Sequence, residues 1–498
     1  MATEMAASRL LGPYFGDSLL VWANLIGLIL ICLTLGGYLG GKWADKSPRV
    51  STLYTITTVA AFMVGLTPFI AAPILRLAQF AFTHVGIEFV AFDLIQIGGS
   101  FVGVLLLFVP PVTLLGCVSP FAIRLQTHQI RSAGRSAGGI YALSTLGSIL
   151  GTFAPVLVFI PAVGTAKTFI IFACLLLLAS LLGLAMQRAR RAALLNSTLL
   201  AVLILLTAIL PQRVVKADAR MIFERESRYN YIQVLQVGAV RYLMLNEGQG
   251  VHSVYDPASL ATFGTWDVLS IAPFFNPPPF TPDQVKRICI IGLAAGTSAR
   301  QAVAIYGDTP IDGVEIDPAI VEVGRKYFDM NQPNLNVFIT DGRFFLEQTT
   351  QKYDLIIIDA YRLPYIPFQL TTTEFFALAK RRLTPHGVLS VNVGRTASDY
   401  RMVEAIAATL GQHFPTLHAV NLVDTFNTVL IATQDATRAD NLRINAGLSA
   451  HRFVAEVAAR ALDHLYPLHN DGIVFTDDLA PVERLTNAIM LRYMLAGE

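Results

Sequence analysis

The chain of 498 residues is too long for one ordinary domain, and its composition, 54% apolar and only 14% charged, excludes an average water-soluble protein. A net charge of +2, with no basic run interleaved with aromatic residues, argues against a nucleic-acid-binding protein, so we expect no nucleic-acid partner. The four cysteines are scattered and no His, Cys and Asp cluster has metal-binding spacing, so we expect neither a disulfide framework nor a metal site.

The apolar residues are concentrated before residue 212, where runs long enough to cross a bilayer recur. We therefore predict a multi-pass transmembrane helical domain over residues 1–212, with the lipid bilayer as a partner and the cell membrane as the location. Glycine pairs at helical spacing predict close helix packing, and Pro110 with Pro111 predicts a bend in the third span. The predicted spans lie at about 18–40, 51–74, 98–120, 139–162, 166–187 and 193–211, and the glycine pairs are Gly36/Gly40, Gly37/Gly41 and Gly147/Gly151.

The orientation of the spans follows from the basic residues of the loops between them. Loops after the first, third and fifth spans are basic, which predicts that they are cytoplasmic. Simple alternation then places the chain after residue 212 outside the cell, whereas further basic residues after the sixth span favour the cytoplasm. The loop charges therefore leave the side of the second half open. The basic residues are Lys42, Lys46, Arg49, Arg124, Arg131, Arg135, Arg188, Arg190 and Arg191, and after the sixth span Arg213, Lys216 and Arg220.

One apolar segment, residues 77–97, is not predicted to be a span because it carries three ionisable side chains. It is predicted to form a helix on the membrane surface or packed on the bundle.

Residues 221–280 predict a small β domain and a linker. Two alternating runs joined at Gly238 are typical of a hairpin. A helix carrying Trp266 and Asp267 is predicted to follow them over 257–273.

Residues 281–498 alternate between short apolar runs and helix-like runs, which predicts parallel strands with helices on both faces, as in a Rossmann-like nucleoside-binding domain. The predicted strands are 287–292, 310–316, 335–339, 353–359, 387–393 and 427–432. The predicted helices lie near 297–306, 318–328, 371–383 and 398–412, and the tail, 444–494, is predicted to be helical.

The first of these strands ends at a glycine turn, Gly292 to Gly296, and the second ends at Glu315. A strand, a glycine turn, a helix and a second strand ending in an acid are typical of a nucleoside site. The glycines let the backbone approach the ligand, and the carboxylate accepts hydrogen bonds from ribose hydroxyls. The full dinucleotide fingerprint is missing, so an α/β turn that needs glycine only for packing is the alternative.

Two more carboxylates follow later strands, Asp341 beside Gly342 and then Asp359. The carboxyl ends of parallel strands meet at one sheet edge, where ligands bind, and a carboxylate placed after buried residues is costly unless a ligand uses it. We expect Asp341 to accept from an adenine amine and Asp359 to hold, orient or deprotonate an amine. Each acid taken singly is also explained as a helix N-cap or a turn residue.

Seven short runs carry a family resemblance: 13–16 (PYFG), 36–41 (GGYLGG), 314–318 (VEIDP), 340–346 (TDGRFFL), 353–360 (YDLIIIDA), 372–376 (TTEFF) and 382–389 (RLTPHGVL). They resemble the spermidine synthases, the polyamine aminopropyltransferases, and in particular the membrane-fused branch of that family. The resemblance implies a seven-stranded methyltransferase-type sheet preceded by a small β domain. It also implies decarboxylated S-adenosylmethionine as aminopropyl donor, putrescine or another polyamine as acceptor, and Asp359 as proton acceptor. A homodimer is a further expectation.

Three positions depart from the family pattern. An acidic residue of the family's glycine turn is replaced by Ala295, a second amine-binding aspartate is replaced by Arg362, and a His-Glu pair matches Trp266-Asp267. We expect Ala295 to line the cofactor site with the glycines, and Trp266 and Arg362 to bind substrate. Since a guanidinium repels a diammonium acceptor, an anionic or carboxylated group is an equally natural partner for Arg362.

With these departures, few side chains remain that could bind the amine and accept its proton. Asp359, with Asp267 or Tyr361 nearby, is expected to carry amine recognition and catalysis. A methyltransferase-like enzyme that uses intact S-adenosylmethionine on another acceptor is the first alternative. The second is a non-catalytic nucleoside-sensing domain attached to a transporter-like bundle.

Overall fold

The computed structural model describes residues 1–15, 19–83, 98–127, 133–209, 218–246, 250–361, 365–423, 425–469 and 471–496. The chain divides into two compact units, the first comprising Met1–Ala217 with Glu226–Arg228, and the second comprising Asp218–Arg225 with Tyr229–Glu498. The domain boundaries at 212, 221 and 281 stay predictions, since residues 210–217 lie outside the described part of the chain.

The first unit is helical, because its long segments are apolar around their whole circumference and contain few charged residues. Among its described residues, five helices are long and apolar enough to span a membrane, or six if one bent pair counts as a span. The helices are α1 (Ala2–Phe15), α2 (Leu19–Lys46), α3 (Val50–Thr83), α4 (Ser100–Leu107), α5 (Val109–Gly116), α6 (Val118–Gln126), α7 (Ala133–Ala154), α8 (Ile160–Val163), α9 (Thr165–Met186) and α10 (Arg190–Ile209). Residues 77–83 of the predicted surface helix belong to α3, and the rest of that prediction lies outside the described residues.

The predicted bend in the third span is confirmed. Helix α4 and the segment Val109–Gln126 meet at 53°. The break falls at Phe108, and both prolines then lie in the first turn of α5, where a missing N–H costs no hydrogen bond.

Two of the predicted packing glycines are confirmed. A Cβ on Gly36 would lie 2.2 Å from the carbonyl oxygen of Thr113, and one on Gly40 would lie 2.6 Å from the Cα atom of Cys117, so only glycine lets these backbones approach. For three other glycines the prediction of close packing is wrong, because a Cβ added to them would meet no described atom within 4 Å. These are Gly37, Gly41 and Gly147.

The second unit begins with a four-stranded sheet in the order β1 (Met221–Glu226), β2 (Tyr231–Val237), β3 (Val240–Leu245) and β4 (Val251–Tyr255). Strands β2 and β3 form the predicted antiparallel hairpin. The predicted helix over 257–273 is much shorter: α11 covers only Thr265–Ser270, and a 3-10 turn follows at Ala272–Phe275.

A larger, eight-stranded sheet follows, and its bounds are close to the predicted ones. Its elements are β5 (Ile288–Ile291), α12 (Thr297–Tyr306), β6 (Ile311–Glu315), α13 (Pro318–Tyr327), β7 (Leu335–Ile339), α14 (Gly342–Gln348), β8 (Tyr353–Ile358), α15 (Thr373–Arg382), β9 (Leu383–Gly394), α16 (Arg401–Leu410), β10 (Thr416–Asn421), β11 (Asn427–Thr433), α17 (Asp440–Leu448), α18 (Arg452–Asp463), β12 (Leu465–Tyr466) and α19 (Val482–Ala496).

The strand order is β12-β10-β11-β9-β8-β5-β6-β7. Strands β5 to β9 are parallel, as predicted, but β11 is antiparallel to both β9 and β10, so the prediction of a wholly parallel sheet is wrong. Apart from the two-residue edge strand β12, this is the order of the seven-stranded methyltransferase-type sheet that the resemblance implies.

The central strands are solid apolar runs because both sheet faces are covered. Ile288 and Ile290 of β5 pack into one core, and Cys289 and Ile291 pack into the core on the opposite face. Burying such side chains stabilises the fold by about 1.5–3 kcal/mol each. The residues that follow these strands at the sheet edge are therefore positioned by well-packed strands.

Strand β10 and helix α14 have no counterpart among the predicted elements, and the tail is helical only in parts. Strand β7, which precedes Asp341, is an edge strand with Ile339 55% exposed, so the expectation of a buried run before that acid is wrong. Short elements and edge strands bury too few residues to give a clear period.

Candidate active site

The glycine turn after β5 is fitted tightly against the end of β8. Gly292 has a φ of +84°, and a Cβ there would lie 2.4 Å from the carbonyl oxygen of Asp359. Gly296 has a φ of +92°, and its Cβ would collide with Met330. Both positions therefore require glycine for conformation and for space, and the turn brings residues 292–296 beside the end of β8.

Glu315 lies at the end of β6 and is only 7% exposed. Its carboxylate accepts hydrogen bonds from the backbone N–H groups of Ala294, at 2.9 Å, and of Asp317, at 3.0 Å. Burial raises the pKa of Glu315 to about 7, although these two hydrogen bonds favour the ionised form. The fold thus holds a carboxylate against the glycine turn with no cation among its hydrogen-bond partners.

Asp341 is the N-cap of α14, as the alternative explanation of single acids anticipated. Its Oδ1 atom accepts from the N–H groups of Arg343, at 2.9 Å, and of Phe344, at 3.0 Å, whereas Oδ2 accepts none within the described residues. Gly342 follows, and a Cβ there would lie 2.3 Å from a methyl carbon of Ile291. The start of α14 therefore packs directly on the last residue of β5.

Asp359 follows β8 and is partly buried. The Asn392 side chain donates to its Oδ1 atom at 2.8 Å, and Trp266 supplies a second side-chain hydrogen bond. Burial raises the pKa of Asp359 to about 6, and both hydrogen bonds oppose that shift. A carboxylate of this kind is ionised at neutral pH and can still take a proton.

Tyr361 lies two residues further on and donates from its hydroxyl to the carbonyl oxygen of Asn392 at 3.1 Å. Burial raises the pKa of Tyr361, and the negative charge of Asp359 raises it further. The phenol is therefore a neutral donor beside the carboxylate, and it does not act as a base near neutral pH.

Asn392, on β9, and Asn427, at the start of β11, were not predicted from the sequence. The Asn427 amide donates to the Asn392 Oδ1 atom at 2.9 Å, which orients the Asn392 N–H₂ group towards Asp359. Neither residue belongs to a recognisable motif. The only signal was a polar side chain inside the apolar run of β9.

Ala295, in the slot where the family carries an acid, is 1% exposed, and its N–H donates to the Ser253 hydroxyl of β4 at 2.9 Å. Thr297 also bonds β4, through the backbone of Val254. Hydrogen bonds to strand β4 thus hold the residues of the glycine turn, as Glu315 does through Ala294. Ala295 itself has no polar side chain to offer to a ligand.

The structure does not bring the carboxylate of Asp267 into this cluster. Asp267 is 1% exposed and its oxygens are occupied by five donor groups on four residues, which explains the buried charge without a ligand. The donors are Thr262 N and Oγ1, Phe263 N, Gln301 Nε2 and Arg460 Nη2, at 2.7–3.1 Å. Arg362, the other departure from the family pattern, lies outside the described residues.

The remaining predicted residues converge on the turn 291–295. Glu315 contacts it through Ala294, Gly342 through Ile291 and Asp359 through Gly292. A buried carboxylate, Glu315, and a partly buried one, Asp359, thus lie at the ends of the two strands that flank β5, where ligands of parallel sheets bind. Within the described residues, no group of three or more His, Cys, Asp or Glu side chains could hold a metal ion.

Comparison with known proteins finds similar sequences for part of the second unit. Residues 275–439 match the family described as "Spermine/spermidine synthase domain". A "Probable polyamine aminopropyl transferase" of Bifidobacterium longum is 32% identical over 288 residues, which cover 54% of this chain and 63% of that protein. A "Polyamine aminopropyltransferase" of Vibrio vulnificus is 31% identical over 193 residues, covering 37% of this chain and 62% of the relative.

Among solved structures, a probable spermidine synthase from Corynebacterium glutamicum is 20% identical, with a TM-score of 0.40, and the match covers 52% of this chain and 98% of that one. This chain spans less than two thirds of the length of the two curated relatives. Residues 275–439 match the spermine/spermidine synthase domain, and over the aligned residues the chain is similar to polyamine aminopropyltransferases.

Proposed function

We propose that the second unit transfers an aminopropyl group from decarboxylated S-adenosylmethionine to an amine, and that the helices of the first unit anchor the chain in a membrane. The observation that carries the proposal is the carboxylate of Asp359. It follows a central strand, its donors Asn392 and Trp266 are uncharged, and its pKa is raised to about 6. A protonated amine is the ligand that such a group lacks.

The donor's nucleoside end is assigned to Glu315 and Asp341. Each Glu315 oxygen accepts one backbone hydrogen bond and keeps a lone pair for a ribose hydroxyl. The Oδ2 atom of Asp341 is available for an adenine amine, and Gly342 removes the side chain that would crowd the base. An S-adenosylmethionine-derived donor is consistent with these groups.

The reaction itself needs one proton acceptor and an in-line arrangement. The ammonium of the acceptor gives a proton to Asp359, the amine nitrogen forms a bond to the aminopropyl carbon, and the carbon–sulfur bond of the sulfonium breaks. The electron pair of that bond stays on sulfur, so the leaving group is a neutral thioether nucleoside. Asn392 and Trp266 orient the carboxylate, and Tyr361 borders the amine.

The two curated relatives are named as polyamine aminopropyltransferases, which supports an amine acceptor. Aromatic side chains beside a carboxylate also suit a cationic amine. Putrescine, the acceptor that the family resemblance implies, is the first to test. A monoamine or an amino acid, which brings no second ammonium group, is the second.

The test is turnover by the full chain in detergent, with decarboxylated or intact S-adenosylmethionine and each amine, measured as release of the thioether nucleoside. We expect release that requires both the decarboxylated donor and an amine. D359N should lower its rate by about 10²–10⁴-fold, while D308N, a substitution at an exposed aspartate of the same unit, should leave it unchanged. Turnover of intact S-adenosylmethionine alone would establish a methyltransferase instead, and tight nucleoside binding without turnover would establish a sensing domain.

Membrane anchoring is supported by the five long apolar helices within the described residues. We place the second unit in the cytoplasm, where its nucleoside donor is made. The chain should stay with the membrane pellet at alkaline pH. A D308C variant should resist a membrane-impermeant thiol reagent in intact cells, and labelling of that cysteine would place the unit outside.

A further inference from the structure

The first unit contains an open, basic cavity of about 510 Å³ at one end of its helices, within the roughly 300–1,000 Å³ range of small-molecule sites. Its lining joins the start of α3 to the turn between α9 and α10. The lining residues are Ser51, Thr52, Thr55, Arg188, Ala189, Arg190, Arg191 and Ala192. The cavity lies wholly in the first unit, so nothing about it depends on the reaction assigned to the second.

The charge of this cavity is uncompensated by the protein. None of the lining residues is acidic, and no ion pair within the described residues includes Arg188, Arg190 or Arg191. Three guanidinium groups on a four-residue segment repel one another unless an anion lies between them. Within the described residues, the lining of the cavity therefore carries an unbalanced positive charge.

The rest of the lining includes three hydroxyl side chains, Ser51, Thr52 and Thr55. The Thr55 hydroxyl already donates to the carbonyl oxygen of Ser51, and the Thr52 hydroxyl pairs with that of Ser47. At the helix starts, the N–H groups of Thr52 and Arg190 also have backbone partners. The guanidinium groups are therefore the donors that suit phosphate oxygens.

The backbone at the turn points the same way. Arg188 has a φ of +51°, a left-handed conformation that glycine adopts freely and other residues adopt at a cost. This residue closes the end of α9 and turns the chain into α10, which brings Arg188, Arg190 and Arg191 onto one short turn.

We propose that this cavity binds one phosphate-bearing anion, the headgroup of an anionic phospholipid at the end of the helical bundle. A soluble phosphate compound shares the recognition chemistry, and the experiment separates the two sources. The basic loop that carries the cavity is one of those expected to face the cytoplasm, the side on which anionic lipids are concentrated.

The test uses the full chain in an uncharged detergent and follows its melting temperature against added short-chain phosphatidylglycerol, short-chain phosphatidylcholine or inorganic phosphate. We expect a saturable rise with phosphatidylglycerol and little change with phosphatidylcholine. The variant R188Q/R190Q/R191Q should raise the Kd at least about tenfold, because it removes the charge-assisted hydrogen bonds. R188K/R190K/R191K keeps the charge without the bidentate geometry and should fall between the two.

The control is K42Q/K46Q/R135Q, which removes the same number of charges from helix ends on the same predicted side but outside the cavity. Its Kd should stay within about twofold of the wild type, since long-range attraction is screened by salt. An equal loss in this control, or an equal response to phosphatidylcholine, would overturn the proposal. A response to inorganic phosphate as strong as to phosphatidylglycerol would support the site and assign it to a soluble anion. If the glutamine variant does not fold, the lysine variant and R191Q decide the same question.

Discussion

At the amino edge of the large sheet, the carboxylate of Asp312 is 1% exposed and has four hydrogen bonds, two of them from the guanidinium of Arg287 at 2.9 and 3.1 Å. Tyr353 and Asn336 donate the other two, at 2.9 and 3.2 Å. At the carboxyl edge, the donors to Glu315 and Asp359 among the described residues are uncharged, and burial raises the two pKa values to about 7 and about 6.

The same sheet therefore neutralises one buried acid and leaves two others short of a partner. A fully paired acid stabilises the fold, whereas an acid without a cation costs stability until a ligand supplies the missing charge or donor. The carboxyl edge is in this sense prepared for a hydroxyl-bearing and amine-bearing ligand, and the amino edge is complete without one.

The largest expected effect is at Asp359. D359N should lower kcat by about 10²–10⁴-fold, because the amide cannot take the proton of the attacking ammonium. Its melting temperature should not fall, since the substitution removes a poorly compensated charge. Nucleoside release and thermal unfolding of the same preparation measure both, with D308N as the control. A variant that keeps full activity would show that Asp359 is not the base.

At the amino edge, D312A should lower stability without affecting donor binding, the reverse of the effect expected for D359N. Removing the carboxylate leaves Arg287, which is 27% exposed, without its partner, and should lower the free energy of unfolding by about 3 kcal/mol, the low end for a buried pair. Donor affinity measured on the folded protein should be unchanged. If donor affinity falls while stability is retained, the division of roles between the two edges is wrong.

Glu315 offers a pH-dependent version of the comparison. Its folded pKa of about 7 exceeds its ordinary value, so the folded state binds the proton more tightly than the unfolded state does. The contribution of Glu315 to the free energy of unfolding is therefore fully present below about pH 4.5 and is lost as the pH rises towards 7. The difference in melting temperature, E315Q minus wild type, should be larger at pH 8 than at pH 5.

The same variant should weaken donor binding by roughly tenfold to a hundredfold, as expected for lost hydrogen bonds to a charged group. Calorimetric titration with the decarboxylated donor measures this loss. A melting-temperature difference that does not change with pH, or unaltered affinity, would show that Glu315 is an ordinary structural acid.

The smallest effect is expected at Asn427, which orients Asn392. N427A should lower kcat by about fivefold, the value of one hydrogen bond of roughly 1 kcal/mol. N427D should lose more, because a carboxylate only accepts and would turn the Asn392 N–H₂ group away from Asp359. KM for the donor should change little in either variant. Equal activities of N427A and N427D would indicate that Asn427 does not act through Asn392.

The sequence predicted the central strands well because β5 and β8 are buried on both faces and read as unbroken apolar runs. It also predicted the bounds of the edge strand β7, although not the exposure of its side chains, and it missed β10, where burial is partial and the period is short. The direction of β11 was also missed, because an apolar run carries no information about the orientation of its partner.

For the site, the glycine turn and Glu315 could be predicted since their spacing along the chain reflects the geometry of one βαβ unit. Asn392 and Asn427 lie 35 residues apart and meet only through the antiparallel pairing of β9 and β11, which no local pattern shows. The assignment of Asp267 relied on its neighbour Trp266. The helix that carries both turns the indole to Asp359 and the carboxylate to Arg460.

The pH dependence of kcat/KM for the decarboxylated donor tests the central claim most directly, because it reports the ionisation of the free enzyme. If Asp359 is the proton acceptor, kcat/KM of the wild type rises as the pH increases through about 6 and then levels off. In D359E the midpoint of that rise should move. In D359N the remaining kcat/KM should not rise with pH in this range. A rise with the same midpoint in all three proteins would contradict the account.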